Sequence, residues 1–353
     1  MKIFTRTQLA LVFLAVACLI GVVTSIIVNS LVTNQVIFEA QERVKEDLNT
    51  ARYVYASKIR DIDRTIRWTA VRHVLKRGLK EKNISPIRNE LEGLMAEEGL
   101  DFLTLVDRKG VVLFRFHNPP VSGDSLLNDP FVKIALEKKG ISGTQVLSGD
   151  ELSKEGRNLA QRAIIQSIPV PREKPARKIE ETSGMVLKST YPILDFNGEV
   201  IGVLTGGVLL NRNYEIVDRI KNIVFKDAQY KGKEIGTATI FLGDLRISTN
   251  VMDKEGNRAI GTRASREVYE QVLGKGMPWI HRAFVVDEWY ITAYEPIRDV
   301  QDKIIGMLYV GMLESKYALM KERLILLFFF FSMSGMLIAL TVSFLFSYRM
   351  LKK

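Results

Sequence analysis

AQERVKEDLNTARYVYASKIRDIDRTI, at residues 40–66, is the stretch that decides the fold. Its apolar side chains are separated by gaps of 4, 4, 3, 4, 4, 3 and 4 residues, and they occupy Ala40, Val44, Leu48, Ala51, Tyr55, Ile59, Ile62 and Ile66. The gaps repeat every 11 residues, or about 3.67 residues per turn, so the stripe follows one face of a nearly straight α-helix. The pattern predicts one long helix over residues 33–79, which would reach roughly 70 Å.

Two uncharged apolar runs, residues 9–32 and residues 324–346, enclose the rest of the chain. Each is longer than the roughly 20 residues that cross a hydrocarbon core of about 30 Å. The first run is also longer than the apolar part of a signal peptide, and it continues with Val28, Leu31 and Val32 where small residues would precede a cleavage site. Both runs are therefore predicted to be transmembrane helices.

Basic residues at both ends of the chain predict its orientation. Lys2 and Arg6 precede the first run, and Arg349, Lys352 and Lys353 follow the second. By the positive-inside rule, both termini lie in the cytoplasm and residues 33–323 lie outside it.

Composition excludes several classes of function. The chain of 353 residues has a single cysteine, Cys18, so it has no internal disulfide, and its three histidines lack metal-ligand spacing. We expect no metal and no cofactor. The net charge of +10 is dispersed among acidic residues, and the one dense basic run, residues 172–178, has no interleaved aromatic residues. A solvated loop is the simpler interpretation, so we expect no nucleic-acid partner. No phosphate loop, kinase signature or nucleophile motif indicates a catalytic domain.

The region between the two apolar runs reads as a duplication. YPILDFNGEVIG at residues 191–202 parallels YEPIRDVQDKIIG at residues 294–306. Apolar, β-branched runs predict strands at residues 102–106, 111–116, 143–147, 159–170, 185–194, 200–210, 236–241, 245–249, 279–286, 288–296 and 304–313. The fold class is therefore α+β, with two tandem modules that each carry an antiparallel sheet and flanking helices.

The motifs of both halves carry a family resemblance. FRFHNP at residues 114–119, ISTNV at 247–251, GNRAIGT at 256–262 and YEPI at 294–297 together resemble the double-Cache sensor domain, of the fused Cache type found in bacterial histidine kinases and chemoreceptors. The resemblance implies two PAS-like modules, a small-molecule ligand sensed outside the membrane, and a receptor in the bacterial inner membrane. Tyr53 and Trp68, on the polar face of the long helix, favour a homodimer.

The predicted domain organisation follows the chain. It comprises a cytoplasmic N-terminus (1–8), a first transmembrane helix (9–32), a stalk helix with a short helix after it (33–98), a membrane-distal Cache module (99–215), a membrane-proximal Cache module (216–320), a second transmembrane helix (324–346) and the cytoplasmic start of a transmitter linker (347–353).

Four residues of the distal module are candidate ligand-binding residues. Arg115 and His117 are two positions apart on a predicted strand and would share one face of the sheet, where they could hold a small carboxylate. Asp124 could receive a ligand amine or orient His117, and the Tyr191 hydroxyl could close the pocket. The alternative is an exposed polar edge with no ligand. Lys188, three positions from Tyr191, would face the other side and is a weaker candidate.

The proximal module offers a second candidate pocket. Its aromatic cluster contains Trp279, His281, Tyr290 and Tyr294. Such a cluster is usually hydrophobic core, although Trp279 and His281 share one strand face, as do Tyr290 and Tyr294. Arg246 is expected to be a structural or surface group, as is Arg258.

These observations favour the input region of a two-component sensor histidine kinase that binds a small organic anion in its distal module. Two alternatives stay open: the same input region in a methyl-accepting chemoreceptor or a cyclic-dinucleotide enzyme, and a membrane-tethered binding protein without a transmitter. The uninterrupted segment 314–323 is predicted to be helical and continuous with the second span.

Overall fold

The computed structural model describes residues 2–81, 83, 85–169, 179–226, 229–230 and 232–350. The chain forms two units, one made of Met1–Arg43 with Leu313–Lys353 and the other of Val44–Met312. The basic run 172–178 and residues 1 and 351–353, which include the ends of the two predicted cytoplasmic segments, lie outside the described residues.

The long helix α1 (Lys2–Ala70) carries the predicted apolar stripe. From Val44 to Ile66 every stripe residue is buried except the half-buried Ile59. The helix ends at Ala70, so the prediction that it continues to Leu79 is wrong. Arg72 is extended with ψ 133°, and a separate helix α2 (His73–Lys80) begins after it. The break contains no glycine or proline. It redirects α2 so that Leu75 is buried, and tertiary packing of this kind overrides local helix propensity.

The distal module is built on a five-stranded antiparallel sheet with strand order β2-β1-β7-β6-β3. Its elements, in chain order, are α3 (Ser85–Glu97), β1 (Phe102–Asp107), β2 (Val112–Arg115), α4 (Pro130–Leu136), β3 (Ile141–Leu147), α5 (Gly149–Glu155), α6 (Arg157–Ala163), β4 (Ile165–Gln166), β5 (Glu180–Glu181), β6 (Gly184–Leu194) and β7 (Val200–Leu209). Of the strand predicted over residues 159–170, only Ile165–Gln166 is confirmed, as β4, because residues 157–163 form α6 and bury Leu159 and Ala163. Residue 170 lies outside the described residues.

The two faces of the distal sheet have different covers. On one face α1 packs against the sheet, where the Tyr55 hydroxyl lies 2.8 Å from the Thr144 hydroxyl and Ile66 lies over Gly206. On the other face α4, α5 and α6 pack through two apolar clusters: Val106, Val112, Val132, Ala135 and Val203 in one, and Phe102, Leu147, Leu152, Leu159, Ala163, Val186 and Leu209 in the other. The surface between these clusters is where the site of the distal module lies.

The proximal module repeats the same topology. Its elements are α7 (Glu215–Phe225), β8 (Gln229–Tyr230), β9 (Lys233–Glu234), β10 (Gly236–Leu242), β11 (Leu245–Thr249), α8 (Arg266–Val268), a π-helical turn (Tyr269–Gly274), β12 (Trp279–Val285), β13 (Glu288–Arg298) and β14 (Ile304–Leu313). The sheet order is β11-β10-β14-β13-β12. In both modules the first two long strands form an edge hairpin, the last two are central and the third closes the other edge. This shared order confirms the duplication.

The first unit contains apolar helical segments. Within the described residues one helix is long and apolar enough to cross a membrane, and it lies near the N-terminus. The final helix α9 (Glu314–Met350) begins directly after β14, which confirms that segment 314–323 is helical and continuous with residues 324–346. Large apolar side chains of α9, among them Leu324, Phe331 and Phe344, are exposed. Two-pass topology remains a prediction.

Contact between α1 and the distal sheet depends on a missing side chain at Gly206. A Cβ there would lie 2.7 Å from Ile66 Cδ1 and 3.0 Å from Leu103 Cδ1. We expect Gly206→Ala to destabilise the protein by about 2 kcal/mol through overpacking. That loss corresponds to a melting temperature lower by roughly 5 °C in a thermal melt of the full chain in nanodiscs.

The control is Gly93→Ala on α3, where an added Cβ would meet no atom within 4 Å. Because alanine favours a helix over glycine, this variant should melt at or above the wild-type temperature. Equal melting of Gly206→Ala and wild type would contradict the close packing of α1 on β7.

Candidate functional site

Strand register brings five polar residues of the distal module onto one face. Thr104 of β1 is the cross-strand partner of Arg115 on β2 and of Thr205 on β7, and Thr205 is the partner of Thr190 on β6. Cross-strand partners point to the same side of a sheet, and Lys188 joins them two positions from Thr190. All five are buried. We call this set, Thr104, Arg115, Lys188, Thr190 and Thr205, the polar belt.

Acidic side chains from the covering helices meet both ends of the polar belt. Glu155, the last residue of α5, accepts a hydrogen bond from Arg115 Nε at 3.0 Å and one from the Thr104 hydroxyl at 2.5 Å. At the other end Lys188 Nζ donates to Asp129 at 2.5 Å and to the Gln145 side-chain oxygen at 3.0 Å. The belt therefore joins sheet to cover through two buried ion pairs.

Asp129 holds its charge because of this pairing. Its carboxylate also caps α4 by accepting hydrogen bonds from the backbone amides of Phe131 and Val132. Burial acts to raise the pKa of Asp129, but the charge and hydrogen bond of Lys188, together with the Val132 amide, hold that pKa below its usual value.

Arg115 and Asp124, two of the candidate ligand-binding residues, form an ion pair with each other. The guanidinium donates to both Asp124 oxygens, at 2.7 and 3.0 Å, and also to the Val121 carbonyl. These bonds lower the pKa of Asp124, with the Arg115 hydrogen bond as the largest cause. Arg115 is only 1% exposed, and its Nε also forms an ion pair with Glu155. In this structure its charge is balanced within the protein.

His117 and Tyr191 lie away from Arg115. Strand β2 ends at Arg115, ahead of the two prolines at 119–120, so the expectation that Arg115 and His117 share one strand face is wrong. His117 is exposed and its Nε2 lies 2.8 Å from Asn158 Oδ1. Tyr191 faces the opposite side of the sheet, where its hydroxyl donates to Asp63 of α1 at 3.3 Å. Burial, followed by the Asp63 charge, raises the pKa of Tyr191.

The predicted faces of Lys188 and Tyr191 relative to Arg115 are wrong, because Lys188 shares the face of Arg115 and Tyr191 does not. Counting along one strand separates Lys188 from Tyr191 correctly, but only the pairing between strands decides which of them shares a face with Arg115. Two acidic partners, Asp129 and Glu155, were missed. The signals were present: a lone lysine inside the apolar run 185–190, an Asp-Pro helix start at 129–130, and a capping box between Ser148 and Glu151 at the start of α5.

In the proximal module two of the predicted aromatic residues, Tyr290 and Tyr294, join a buried cluster. The rings of Tyr294 and Tyr309 lie 4.6 Å apart, and Phe241 lies 6.1 Å from Tyr294 and 6.4 Å from Tyr309. Burial raises the pKa of all three tyrosines, that of Tyr309 to about 12. All three therefore carry neutral hydroxyl groups at physiological pH.

Arg246 lies beside this cluster and is 2% exposed, so it is not a surface group. Its Cζ is 5.2 Å from the Phe241 ring centroid, and Nη1 donates to the Thr262 hydroxyl. Its Nε has no hydrogen-bond partner, and burial lowers its pKa. Within the described part of the chain, none of the ion pairs includes Arg246.

The remaining predicted residues of the proximal module lie at its edge. Trp279 is the cross-strand partner of Tyr294 and its ring lies 5.3 Å from that of His281, which is exposed on β12. Arg258 is a structural group as expected, because it makes a two-bond ion pair with Asp218 at 2.8 and 2.9 Å.

Breaking the Lys188–Asp129 pair should be costly. Lys188→Met would leave a buried carboxylate without its counter-charge, and we expect a loss of about 3 kcal/mol at neutral pH. Adding Asp129→Asn should restore most of this loss, because an asparagine still caps α4 and carries no charge. Denaturant unfolding of the wild type, both single variants and the double variant measures the coupling.

The pH dependence of the same series has a definite sign. The lowered pKa of Asp129 contributes stability at neutral pH that is lost as the pH falls through that folded-state pKa. In Lys188→Met, burial without the lysine should raise the pKa of Asp129 above its unfolded value of about 4. Protonation of Asp129 then removes the unpaired buried charge. The loss in free energy of unfolding relative to the wild type should therefore become smaller as the pH is lowered from neutral. A loss of stability that does not change with pH would show that the broken Lys188–Asp129 ion pair is not its cause.

Comparisons with known proteins come from three sources. A family model described as single Cache domain 3 matches residues 208–323. No curated protein matches the sequence. The periplasmic domain of Vibrio cholerae LuxQ has 12% identity and a TM-score of 0.43, with coverage of 76% of this chain and 98% of that chain. The sensor domain of the V. cholerae histidine kinase DctB has 10% identity and a TM-score of 0.43, covering 77% and 96%.

The ligand-binding domain of the Campylobacter jejuni chemoreceptor Tlp3, in complex with L-valine, has 11% identity and a TM-score of 0.42, covering 82% of this chain and 97% of that chain. Because these TM-scores are below 0.5, the assignment depends on the family model and on the topology of the sheets. Together these identify residues 208–323 as a Cache domain, which confirms the resemblance seen in the sequence.

Proposed function

We propose that this chain is the extracytoplasmic sensory region and membrane anchor of a bacterial receptor, and that its distal module binds a small metabolite bearing a carboxylate. The observation that carries the proposal is the polar belt. Five buried polar side chains, two of them cationic, lie on one face of a sheet between two apolar clusters. Such a row is costly as core, because buried ion pairs seldom stabilise a fold more than apolar residues of the same size.

The charges of the polar belt favour a zwitterionic ligand. Arg115 and Lys188, with the half-exposed Lys154 beside Asp124, are balanced by three carboxylates, those of Asp124, Asp129 and Glu155. A ligand carboxylate can replace an internal carboxylate on Arg115 or Lys188, while a ligand ammonium takes the carboxylate that has been released. A neutral zwitterion such as an amino acid leaves no excess charge buried, whereas a dicarboxylate would.

Exchange of these pairs provides a route for signalling. The cations of the polar belt lie on the sheet. Two of the carboxylates that pair with them, Asp129 and Glu155, belong to the covering helices α4 and α5. A ligand that replaces these ion pairs binds one arrangement of α4 and α5 on the sheet better than another. It therefore shifts the population between the two arrangements. We propose two transmembrane helices with cytoplasmic termini, and a homodimer contact through α1, where Tyr53 and Trp68 are exposed.

The test is a ligand screen on the full chain in nanodiscs. The standard amino acids and short mono- and dicarboxylates are titrated while the melting temperature is recorded. We expect at least one amino acid to raise the melting temperature of the wild type. It should have no effect on the double variant Lys188→Met/Asp129→Asn, which retains the fold but lacks one ligand-exchanging pair.

The matched control is Lys138→Met, which removes an exposed lysine that pairs with Glu199 at the surface of the same module. This variant should respond as the wild type does. A full response in the double variant would exclude the Lys188 end of the polar belt, and the absence of any response to the panel would contradict the proposed ligand class.

A further inference from the structure

Arg246 is a buried cation without a counter-ion. Asp244, two residues before it in the sequence, pairs with Arg263 instead. Among the described residues, Arg246 has one side-chain hydrogen bond, to Thr262, and an unpartnered Nε. A guanidinium taken out of water without a negative partner destabilises a fold. An apolar residue of similar size would serve the fold better, so Arg246 needs another reason to be there.

The surroundings of Arg246 are complementary to an anion. The hydroxyls of Tyr290, Tyr294 and Tyr309 belong to the cluster beside it, and each is a neutral donor because its pKa is raised by burial. One formal positive charge and several hydroxyl donors match one negative charge with several acceptor lone pairs. The carboxylates of Asp287 and Glu288 lie near Tyr290, and no ion pair joins either of them to Arg246 among the described residues. A carboxylate has this chemistry, and a guanidinium can bind it through two parallel hydrogen bonds.

A cleft reaches the cluster from the surface. Its volume is about 480 Å³, and Thr237 and Tyr290 are part of its lining. The Thr237 hydroxyl lies 2.9 Å from the Tyr309 hydroxyl, so the inner end of the cleft meets the tyrosine cluster. Asn250, also in the lining, has a buried Nδ2 with no partner. The rim has a net negative charge, because it contains the four carboxylates of Glu234, Asp253, Asp287 and Glu288 and one lysine, Lys254. Such a rim repels ligands that carry more than one negative charge.

We propose that the proximal module contains its own binding site for a compact monocarboxylate, in which Arg246 binds the carboxylate and the tyrosine hydroxyls of Tyr290, Tyr294 and Tyr309 orient it. The site is separate from the polar belt and does not depend on it. A neutral amino acid fits the same description, since its carboxylate reaches Arg246 and its ammonium group is favoured by the acidic rim.

The test uses the full chain in nanodiscs with four probes: acetate, propionate, glycine and L-alanine. Two of the three tryptophans, Trp279 and Trp289, belong to this module and report on it by fluorescence. We expect at least one probe to give a saturable fluorescence change in the wild type. Arg246→Met should weaken its binding at least tenfold. Without probe, the same variant should melt about 3 °C or more above the wild type, because an uncompensated buried charge has been removed.

The matched control is Arg258→Met, which also replaces an arginine of this module but breaks an internal ion pair. It should lower the melting temperature and leave probe binding unchanged. Tyr294→Phe provides a second, milder variant, which should retain the fold and weaken binding severalfold. The double variant Lys188→Met/Asp129→Asn should still give the fluorescence change. The experiment therefore distinguishes a wrong proposal for the polar belt from a wrong proposal for Arg246.

Any one of three results overturns the proposal. The first is that Arg246→Met melts below the wild type, which would make Arg246 a stabilising structural residue. The second is that none of the four probes changes the fluorescence of the wild type. The third is that the change persists at full affinity in both Arg246→Met and Tyr294→Phe.

Discussion

The packing of α1 on the distal sheet is the contact on which the rest of this module depends. Ile66 lies against the sheet where Gly206 has no side chain, and Tyr55 hydrogen-bonds Thr144 from the same helix face. This contact commits one face of the sheet to the helix. The buried cations of the polar belt, Arg115 and Lys188, are therefore placed on the other face, beneath α4, α5 and α6. The stripe of α1 thus decides indirectly on which face of the sheet the polar belt lies.

The two modules share a topology but differ in their electrostatics. In the distal module Arg115 is surrounded by Asp124 and Glu155, so its charge is balanced by the protein. In the proximal module Arg246 lies among tyrosines, and its charge is not balanced by any ion pair of the described residues. Under the two proposals, a ligand at Arg115 has to exchange with an internal partner, whereas a ligand at Arg246 can supply the missing charge. Duplication of one fold has therefore produced two modules that balance the charge of a buried arginine differently.

Several features could be predicted from the sequence because they depend on short-range periodicity. The 11-residue stripe predicted the buried face of α1, and the repeated segment near Tyr191 and Tyr294 predicted two modules with the same strand order. The missing side chain at Gly206, by contrast, could be linked to Ile66 only once the helix and the sheet were placed together. The ligand-binding roles of Arg115, His117, Asp124 and Tyr191 remain predictions, although His117 and Tyr191 lie away from Arg115.

By itself the sequence determined the fold class, the duplication and the amphipathic helix, since each is written in the spacing of apolar residues along the chain. The composition of the sites was decided only by the tertiary structure. Which of Lys188 and Tyr191 faces Arg115 depends on the pairing of two hairpins, β1-β2 and β6-β7, that are distant in sequence, and a shift of one residue in the register between them would exchange the two side chains. Arg246 likewise became a candidate only when the fold buried it without a carboxylate, because isolation from counter-ions is a property of three-dimensional surroundings.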